Sequence, residues 1–334
     1  MKYRKLGDDG PEVSAIGLGC MGMSIAYGVP DEEESQHTLD RALEVGITLL
    51  DTADAYGQGS NEELIGRWLR RRRAHERDRM VVATKFGLRH DATTGRVGDV
   101  DTSADYIPHA CRASLRRLGV DHIDVYYAHR RSPATPIEET VGALAQLVQA
   151  GLVRHIGLSE VSPATLRAAH AVHPVSAVQV EYSLFTRSVV EGELLATCRE
   201  LGIAVVAYSP LGRGMLTGAL SSRGDLAPHD NRRRWPRFAD ENIQRNLALV
   251  QAVRDVAERI GCSPAQAALA WLLAQGEDIV PIPGTKHRRY LQENASAGSL
   301  ALTDADLDLL RKAVPEEAVA GERYPEAALT RLGH

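Results

Sequence analysis

Four side chains capable of acid–base chemistry are spread along the first half of the chain: Asp51, Tyr56, Lys85 and His129. Asp51, Lys85 and His129 each close a short apolar run, at Ile47 to Leu50, Met80 to Thr84 and Ile123 to Tyr127, where a β-strand would end. Tyr56 follows in the segment Asp51-Thr52-Ala53-Asp54-Ala55-Tyr56-Gly57. Brought to one point, a carboxylate, an ammonium, a phenol and an imidazole supply a proton donor, a charge that tunes it and a hydrogen bond for a developing anion. Spacing alone also allows a bland reading, with Asp51 and Lys85 as a structural ion pair, Tyr56 as a half-buried loop aromatic and His129 as a satisfied core histidine.

Other patterns carry less. Gly17-x-Gly19-x-x-Gly22 spells the dinucleotide fingerprint, but that motif needs a helix opening at once and an acidic residue at the end of a second strand. Here Met23 to Pro30 runs into a proline, and Glu44 lies in a helical segment. His122, His155, His170 and His173 show no metal-ligand spacing, so no metal is expected. The Tyr-x-x-x-Lys spacing of short-chain dehydrogenases is absent.

The elements that would position the four side chains alternate along the chain. Further apolar runs lie near Val13 to Leu18 and at Val153 to Leu158, Ala177 to Val180, Ile203 to Ala207 and Ile279 to Ile282, making eight expected strands. Helices are expected between them. Thr135-Pro136-Ile137-Glu138 reads as a capping box, Ser60 with Glu63, Ser162-Pro163 and Ser263-Pro264 give comparable starts, and Ser103 to Leu118, Val190 to Leu201 and Asn242 to Ile260 have helical length. Such alternation fits a (β/α)8 TIM barrel or a doubly wound sheet, and composition does not separate them. In a barrel the active site forms at the C-terminal strand ends, where the four side chains fall.

Lys2 to Ser14, turning at Gly7-Asp8-Asp9-Gly10-Pro11, reads as an N-terminal β-hairpin before the first barrel strand. Leu211 to Asp240 is Gly- and Arg-rich with little periodicity, the character of a binding loop or lid. An extra C-terminal helix is expected from Thr303, and the polar tail from Val314 to His334 is expected to wrap one barrel end. With no repeat or linker, residues 1–334 read as one domain.

Composition excludes several classes. Of 334 residues 44% are apolar and 25% charged, which argues against a disordered chain. A formal net charge of −5 offers no electrostatic grip on nucleic acid or an anionic membrane. Cys20, Cys111, Cys198 and Cys262 are dispersed, with neither disulfide framework nor zinc spacing, which fits a reducing compartment. No run of 18 apolar residues or leader-like h-region occurs, so a cytoplasmic location is expected.

Several ordered segments together resemble the aldo-keto reductase superfamily: Gly17-Leu18-Gly19-Cys20-Met21-Gly22, Asp51 to Gly57, Ala83-Thr84-Lys85-Phe86-Gly87, Tyr126-Tyr127-Ala128-His129-Arg130, Gly157-Leu158-Ser159-Glu160, Val178-Gln179, Tyr208 to Gly214, and Pro281-Ile282-Pro283-Gly284-Thr285-Lys286. The last is similar to the bacterial and plant branch. The resemblance implies a TIM barrel whose tetrad is Asp51, Tyr56, Lys85 and His129. Tyr56 would then be the general acid toward a carbonyl oxygen, with Lys85 lowering a phenol pKa that is ordinarily near 10. Asp51 would hold Lys85 charged and oriented, and His129 would donate to the carbonyl.

The resemblance also implies NADPH bound across the barrel mouth. Tyr208 would stack on the nicotinamide, Ser159 and Gln179 would hold its carboxamide, and Cys20 and Met21 would border its ribose. Ser209, Leu211, Gly212 and Gly214 would let backbone N–H groups approach the pyrophosphate, with Arg237 closing over it. Gly284, Thr285 and Lys286 would face the 2′-phosphate, assisted by Arg288 or Arg289, and Glu293 and Asn294 would meet adenine. Arg232-Arg233-Arg234 reads equally as an exposed basic loop or a phosphate contact.

This chain departs from the family pattern at His129-Arg130-Arg131-Ser132-Pro133, where Arg131 is expected to add a cation beside the site and favour an acidic or phosphorylated substrate. Phe185 and Met215 stand where relatives carry larger aromatics, suggesting a roomier pocket wall, and three Phe with three Trp argue against a heavily aromatic pocket. The implied activity is NADPH-dependent reduction of an aldehyde or ketone, a small-molecule carbonyl, with oligomeric state open. The alternative is a nicotinamide-binding regulatory or sensor module with little turnover, as the superfamily's ion-channel auxiliary subunits suggest.

Overall fold

The computed structural model describes residues 1–90, 97–228, 230–329 and 332. An N-terminal hairpin of β1 (Tyr3–Lys5) and β2 (Glu12–Ser14) precedes β3 (Leu18–Gly19), β4 (Leu49–Asp51) and β5 (Val81–Phe86). A second hairpin of β6 (Leu88–His90) and β7 (Val97–Val100) interrupts the series before β8 (Ile123–Ala128), β9 (Val153–Ser159), β10 (Val175–Glu181), β11 (Ala204–Tyr208) and β12 (Ile279–Pro281).

β3, β4, β5 and β8 to β12 form one eight-stranded parallel sheet. It curls until its ends meet: Gly19 bridges Gly284, and the Gly17 amide donates to the Pro281 carbonyl at 3.0 Å. A Cβ on Gly19 would lie 2.9 Å from the Ile282 carbonyl oxygen, so a side chain there would push the seam apart. Gly17 and Gly19 of the apparent dinucleotide fingerprint therefore serve barrel closure, while Gly22 lies in the short 3-10 turn Met21–Met23 that follows them.

Two apolar layers result. Leu49, Val81, Ala83, Val125, Tyr127, Ala177, Val206 and Val280 fill the barrel, and Leu6 and Val13 of the hairpin plug its N-terminal end. A larger cluster lies between the sheet and the surrounding helices, with Trp68, Trp271, Leu144 and Leu166 among its members. All six residues of β5 are buried, as strands covered on both faces require.

Helix starts follow capping chemistry with two corrections. Ser162 accepts from the Thr165 amide ahead of Pro163–Val172, and Ser263 forms a capping box with Gln266 ahead of Pro264–Leu273. The expected box at Thr135 is not made. Pro136, extended at φ −55° and ψ 142°, takes the N-cap position of Ile137–Gln149 and moves Thr135 outside the helix. Ser60 is already helical, because left-handed Gly59 precedes Ser60–Arg70. The expected first strand is likewise divided, since Val13 and Ser14 belong to the hairpin.

The C-terminal helix Asp304–Ala313 begins at an N-cap Thr303, and the segment after it returns to the C-terminal mouth of the barrel. No helix among the described residues is long and apolar enough to cross a membrane.

Candidate active site

Asp51 ends β4, and the loop after it is laid along β5. The Thr52 amide donates to the Ala83 carbonyl and the Asp54 amide to the Lys85 carbonyl. The Thr52 hydroxyl donates to Asn61 Oδ1 at 2.6 Å. A left-handed pair, Gly57 and Gln58, then turns the chain so that Tyr56 faces back toward Lys85. Lys85 itself is wholly buried in β5.

The Lys85 ammonium donates to Asp51 Oδ1 at 2.5 Å and to the Thr52 carbonyl at 2.8 Å, and lies 3.4 Å from the Tyr56 hydroxyl. Burial alone would push Lys85 down, but Asp51 and Tyr56 carry it above its ordinary value, so the ammonium stays charged. Tyr56 corrects the expectation that Lys85 acidifies it at rest. Burial pushes the phenol up and outweighs the opposing pull of Lys85.

His129 follows β8 with its amide donating to the Phe86 carbonyl, and its ring meets the Tyr56 ring edge-on at 5.8 Å. Burial, with the Arg130 and Lys85 cations, holds its pKa well below the usual range. The imidazole is therefore neutral at physiological pH. Its Nδ1 is buried with no partner among the described residues, which favours the proton on Nε2, since a bare acceptor is cheaper to bury than an unpaired donor.

These groups sit at one end of a cleft of about 660 Å³ across the barrel mouth. Asp51, Tyr56 and His129 line it, as do Met21, Ser159, Gln179, Tyr208, Ser209, Leu211, Gly214, Gly284, Thr285, Lys286, Glu293 and Asn294. Lys85, Cys20, Gly212 and Arg237 lie behind the lining. Arg237 is turned away, donating to Thr186 Oγ1 at 2.7 Å and the Phe185 carbonyl at 2.9 Å. The Gln179 amide donates to Asp51 Oδ2 at 2.7 Å.

At the far end, the Lys286 ammonium donates to the Tyr27 carbonyl at 2.9 Å and to the Val29 carbonyl, clasping the loop after β3. Arg288 is paired with Glu34. Of the arginine triplet, Arg232 lines the cleft but is paired with Asp230, while Arg233 is turned onto the Arg223 and Leu226 carbonyls.

A cluster behind the lining residues Tyr208, Arg213, Trp235 and Tyr324 contains residues the sequence reading passed over. Arg323 grips Glu160 through two 2.8 Å bonds, and Glu160 also accepts from the Tyr208 hydroxyl at 2.8 Å. Burial pushes Glu160 up, but Arg323 holds it below the usual carboxylate range. Tyr324 meets Tyr208 hydroxyl to hydroxyl at 2.8 Å and packs against Trp235 at 4.7 Å. Arg213 lies 3.6 Å over Trp235 and pairs with Glu181 at 2.8 Å. Glu160, Ser209 and Arg213 all have positive φ, backbone strain gathered at the mouth.

Three expectations about the pocket change. It is aromatic after all, lined by Tyr27, Tyr56, Tyr208, Trp235, Tyr290 and Tyr324, because tyrosine supplies what Phe does not. Phe185 and Met215 are core residues away from the cleft. Arg130 reaches the cleft, whereas Arg131 does not. Large aromatics isolated in polar segments, as Trp235 and Tyr324 are, were the available sign.

The model of the Aldo/keto reductase family matches residues 15–315. An aldo-keto reductase of Schizosaccharomyces pombe, yakc, whose name carries NADP(+), is 47% identical over 98% of this chain and 96% of its own. A probable aldo-keto reductase 1 of Glycine max is 44% identical over 96% of this chain and 91% of its own. Among solved structures, a glycerol dehydrogenase of Gluconobacter oxydans superposes with a TM-score of 0.83 at 30% identity, covering 94% of this chain and 96% of that one. The thermostable aldo-keto reductase Tm1743, solved with the inhibitor epalrestat, gives 0.74 at 30% identity, with 94% and 100% covered.

Proposed function

Because the chain belongs to the aldo/keto reductase family, we propose that it reduces an aldehyde or ketone to the alcohol with NADPH, Tyr56 giving the proton. The observation that carries this reading is the Asp51–Lys85–Tyr56 chain, its ion pair buried, beside a neutral His129 in a cleft of about 660 Å³. When bound, the reduced nicotinamide supplies the hydride. The cleft suits that cofactor: Ser159 and Tyr208 border its catalytic end, left-handed Gly214 leaves room for pyrophosphate, and Lys286 offers a cation near Glu293 and Asn294. On this reading residues 1–334 act as one barrel unit.

The chain's own groups divide the remaining work. A neutral His129 donates from Nε2 to the carbonyl oxygen and fixes its approach. As charge gathers on that oxygen, the Tyr56 hydroxyl proton moves to it. A phenol of raised pKa still suffices, because the conjugate acid of an alkoxide is roughly as weak as water. Lys85, 3.4 Å away, stabilises the phenolate left behind, and Asp51 keeps Lys85 charged and in place.

The test is NADPH and NADH binding by fluorescence, followed by cofactor oxidation against a panel of aldehydes and ketones. NADPH binding with turnover is expected. Binding without turnover on any member would shift the reading to a nicotinamide-responsive sensor, and no binding would overturn both.

A further inference from the structure

Four cations line the cleft among the described residues: Arg130, Arg213, Arg232 and Lys286. Arg213 is neutralised by Glu181 and Arg232 by Asp230. Arg130 and Lys286 form no ion pair among the described residues, although Glu160 acts on Arg130, and Asp31 and Asp230 on Lys286, from a distance. Lys286 is tied to the loop at Tyr27 and Val29, where the proposed reading puts the adenine end of the cofactor, whereas Arg130 is beside His129, Tyr56, Ser159 and Tyr208, where the carbonyl must react.

Arg130 is held firmly. Its Nη1 donates to the His129 carbonyl at 2.6 Å and to Ser159 Oγ at 3.1 Å, which fixes the guanidinium plane. Its Nε and Nη2 make no hydrogen bond among the described residues, and neither is buried and orphaned, so both open to the cleft. Glu160, the carboxylate whose charge acts on Arg130, is already engaged by both arms of Arg323 and by Tyr208. A planar fork with two free N–H groups is the shape that a carboxylate or phosphate oxygen pair matches.

We propose that Arg130 is a specificity-determining residue, and that the preferred substrates are carbonyl compounds carrying a carboxylate or similar anion on the same small molecule, bound to the free edge of this guanidinium. The inference rests on the reductase reading and deepens it. A neutral carbonyl compound leaves a desolvated cation facing it, whereas an anionic one completes the pair. The cation next in sequence, Arg131, lies outside the cleft and takes no part.

The test compares 4-carboxybenzaldehyde with its methyl ester in the wild-type protein, Arg130→Gln and Arg130→Lys, each with saturating NADPH. The wild type is expected to favour the acid, and Arg130→Gln to lose at least about tenfold in kcat/KM for the acid, chiefly through KM, with the ester changed by less than about threefold. Arg130→Lys should restore part of the difference. Equal losses for acid and ester, or a wild type that does not prefer the acid, would overturn the proposal.

A second measurement keeps the question separate from turnover. Benzoate added to the NADP+-bound proteins should raise the thermal midpoint of the wild type and not of Arg130→Gln. If no aldehyde or ketone of the panel is reduced but this benzoate difference appears, the anion site stands and the reductase reading gives way to the sensor. Equal benzoate shifts in both proteins would remove Arg130 from anion recognition even if both aldehydes are reduced.

Discussion

Burial, rather than charge alone, sets the resting states of the site residues. Tyr56, half-buried, is protonated and His129, buried, is neutral for the same reason: partial or full burial favours the uncharged form of each. Tyr56→Phe should keep NADPH binding and lose about 10²–10⁴-fold in turnover, the ordinary worth of a positioned acid. Near-full activity measured with that variant would remove Tyr56 from the proton step. Lys286→Ala should weaken NADPH by about tenfold or more while leaving NADH little changed, as titrations of both cofactors would show. Equal losses would mean that the lysine matters for its grip on Tyr27 and Val29 and not for a phosphate. Asp54 adds a pH dependence. Its Oδ1 is buried without a hydrogen-bond partner among the described residues, and burial, reinforced by Glu62 and opposed by Arg117, pushes it up to about 7. With an unfolded value near 3.9, the unfolded chain holds fewer protons between about pH 4 and pH 7, so stability falls as pH rises across that window. Asp54→Asn should flatten this slope and add about 2 kcal/mol at pH 8, partial solvent access discounted. Urea titrations at pH 5 and pH 8 check it, and an unaltered slope would show that Asp54 ionises normally.

The elements differ in how openly the sequence announces them. Eight apolar runs and the serine caps at Ser162 and Ser263 depend on neighbours a few positions away, which periodicity detects. Thr135 failed as a cap because one backbone conformation, the extended Pro136, moved the helix start by a residue, and composition does not encode that shift. The antiparallel β6–β7 pair went unread, since its short strands carry exposed polar residues such as Arg89 rather than an apolar run. The wall of Glu160, Arg323, Tyr324, Trp235 and Arg213 was hidden for another reason. Glu160 and Arg323 are 163 positions apart, and only the closed barrel brings them together. Close approach of helices Ser60–Arg70 and Tyr106–Leu118 is equally invisible. A Cβ on Gly66 would lie 2.2 Å from the Arg117 carbonyl oxygen and 2.7 Å from that of Leu118. Both obstacles are backbone, so Gly66→Ala should cost about 1–3 kcal/mol although alanine favours helices, and a thermal midpoint at or above wild type would contradict the packing.

Taken whole, the molecule is a barrel with one end plugged by its own N-terminus and the other bordered by its own C-terminus. That Asp51, Tyr56, Lys85 and His129 would meet was legible in the chain because strand ends converge in this architecture whatever the loops do, whereas the charge balance of the mouth needed every loop at once. Ligand linkage operates at this scale. NADPH at about a hundred times its dissociation constant should add about 2.7 kcal/mol to the stability of the folded chain, so the thermal midpoint should climb with NADPH concentration. A midpoint indifferent to NADPH would mean that the cleft does not hold it. The seam at Gly19 and Gly284 belongs to both problems, since these glycines close the sheet and also floor the cleft. Structure and selectivity are thereby welded at one joint. An engineer who wants a different cofactor can rebuild the Lys286 end at the cost of its grip on Tyr27 and Val29, but any redesign reaching this pair alters the barrel's circumference and its affinity together, and selection for either will drag the other with it.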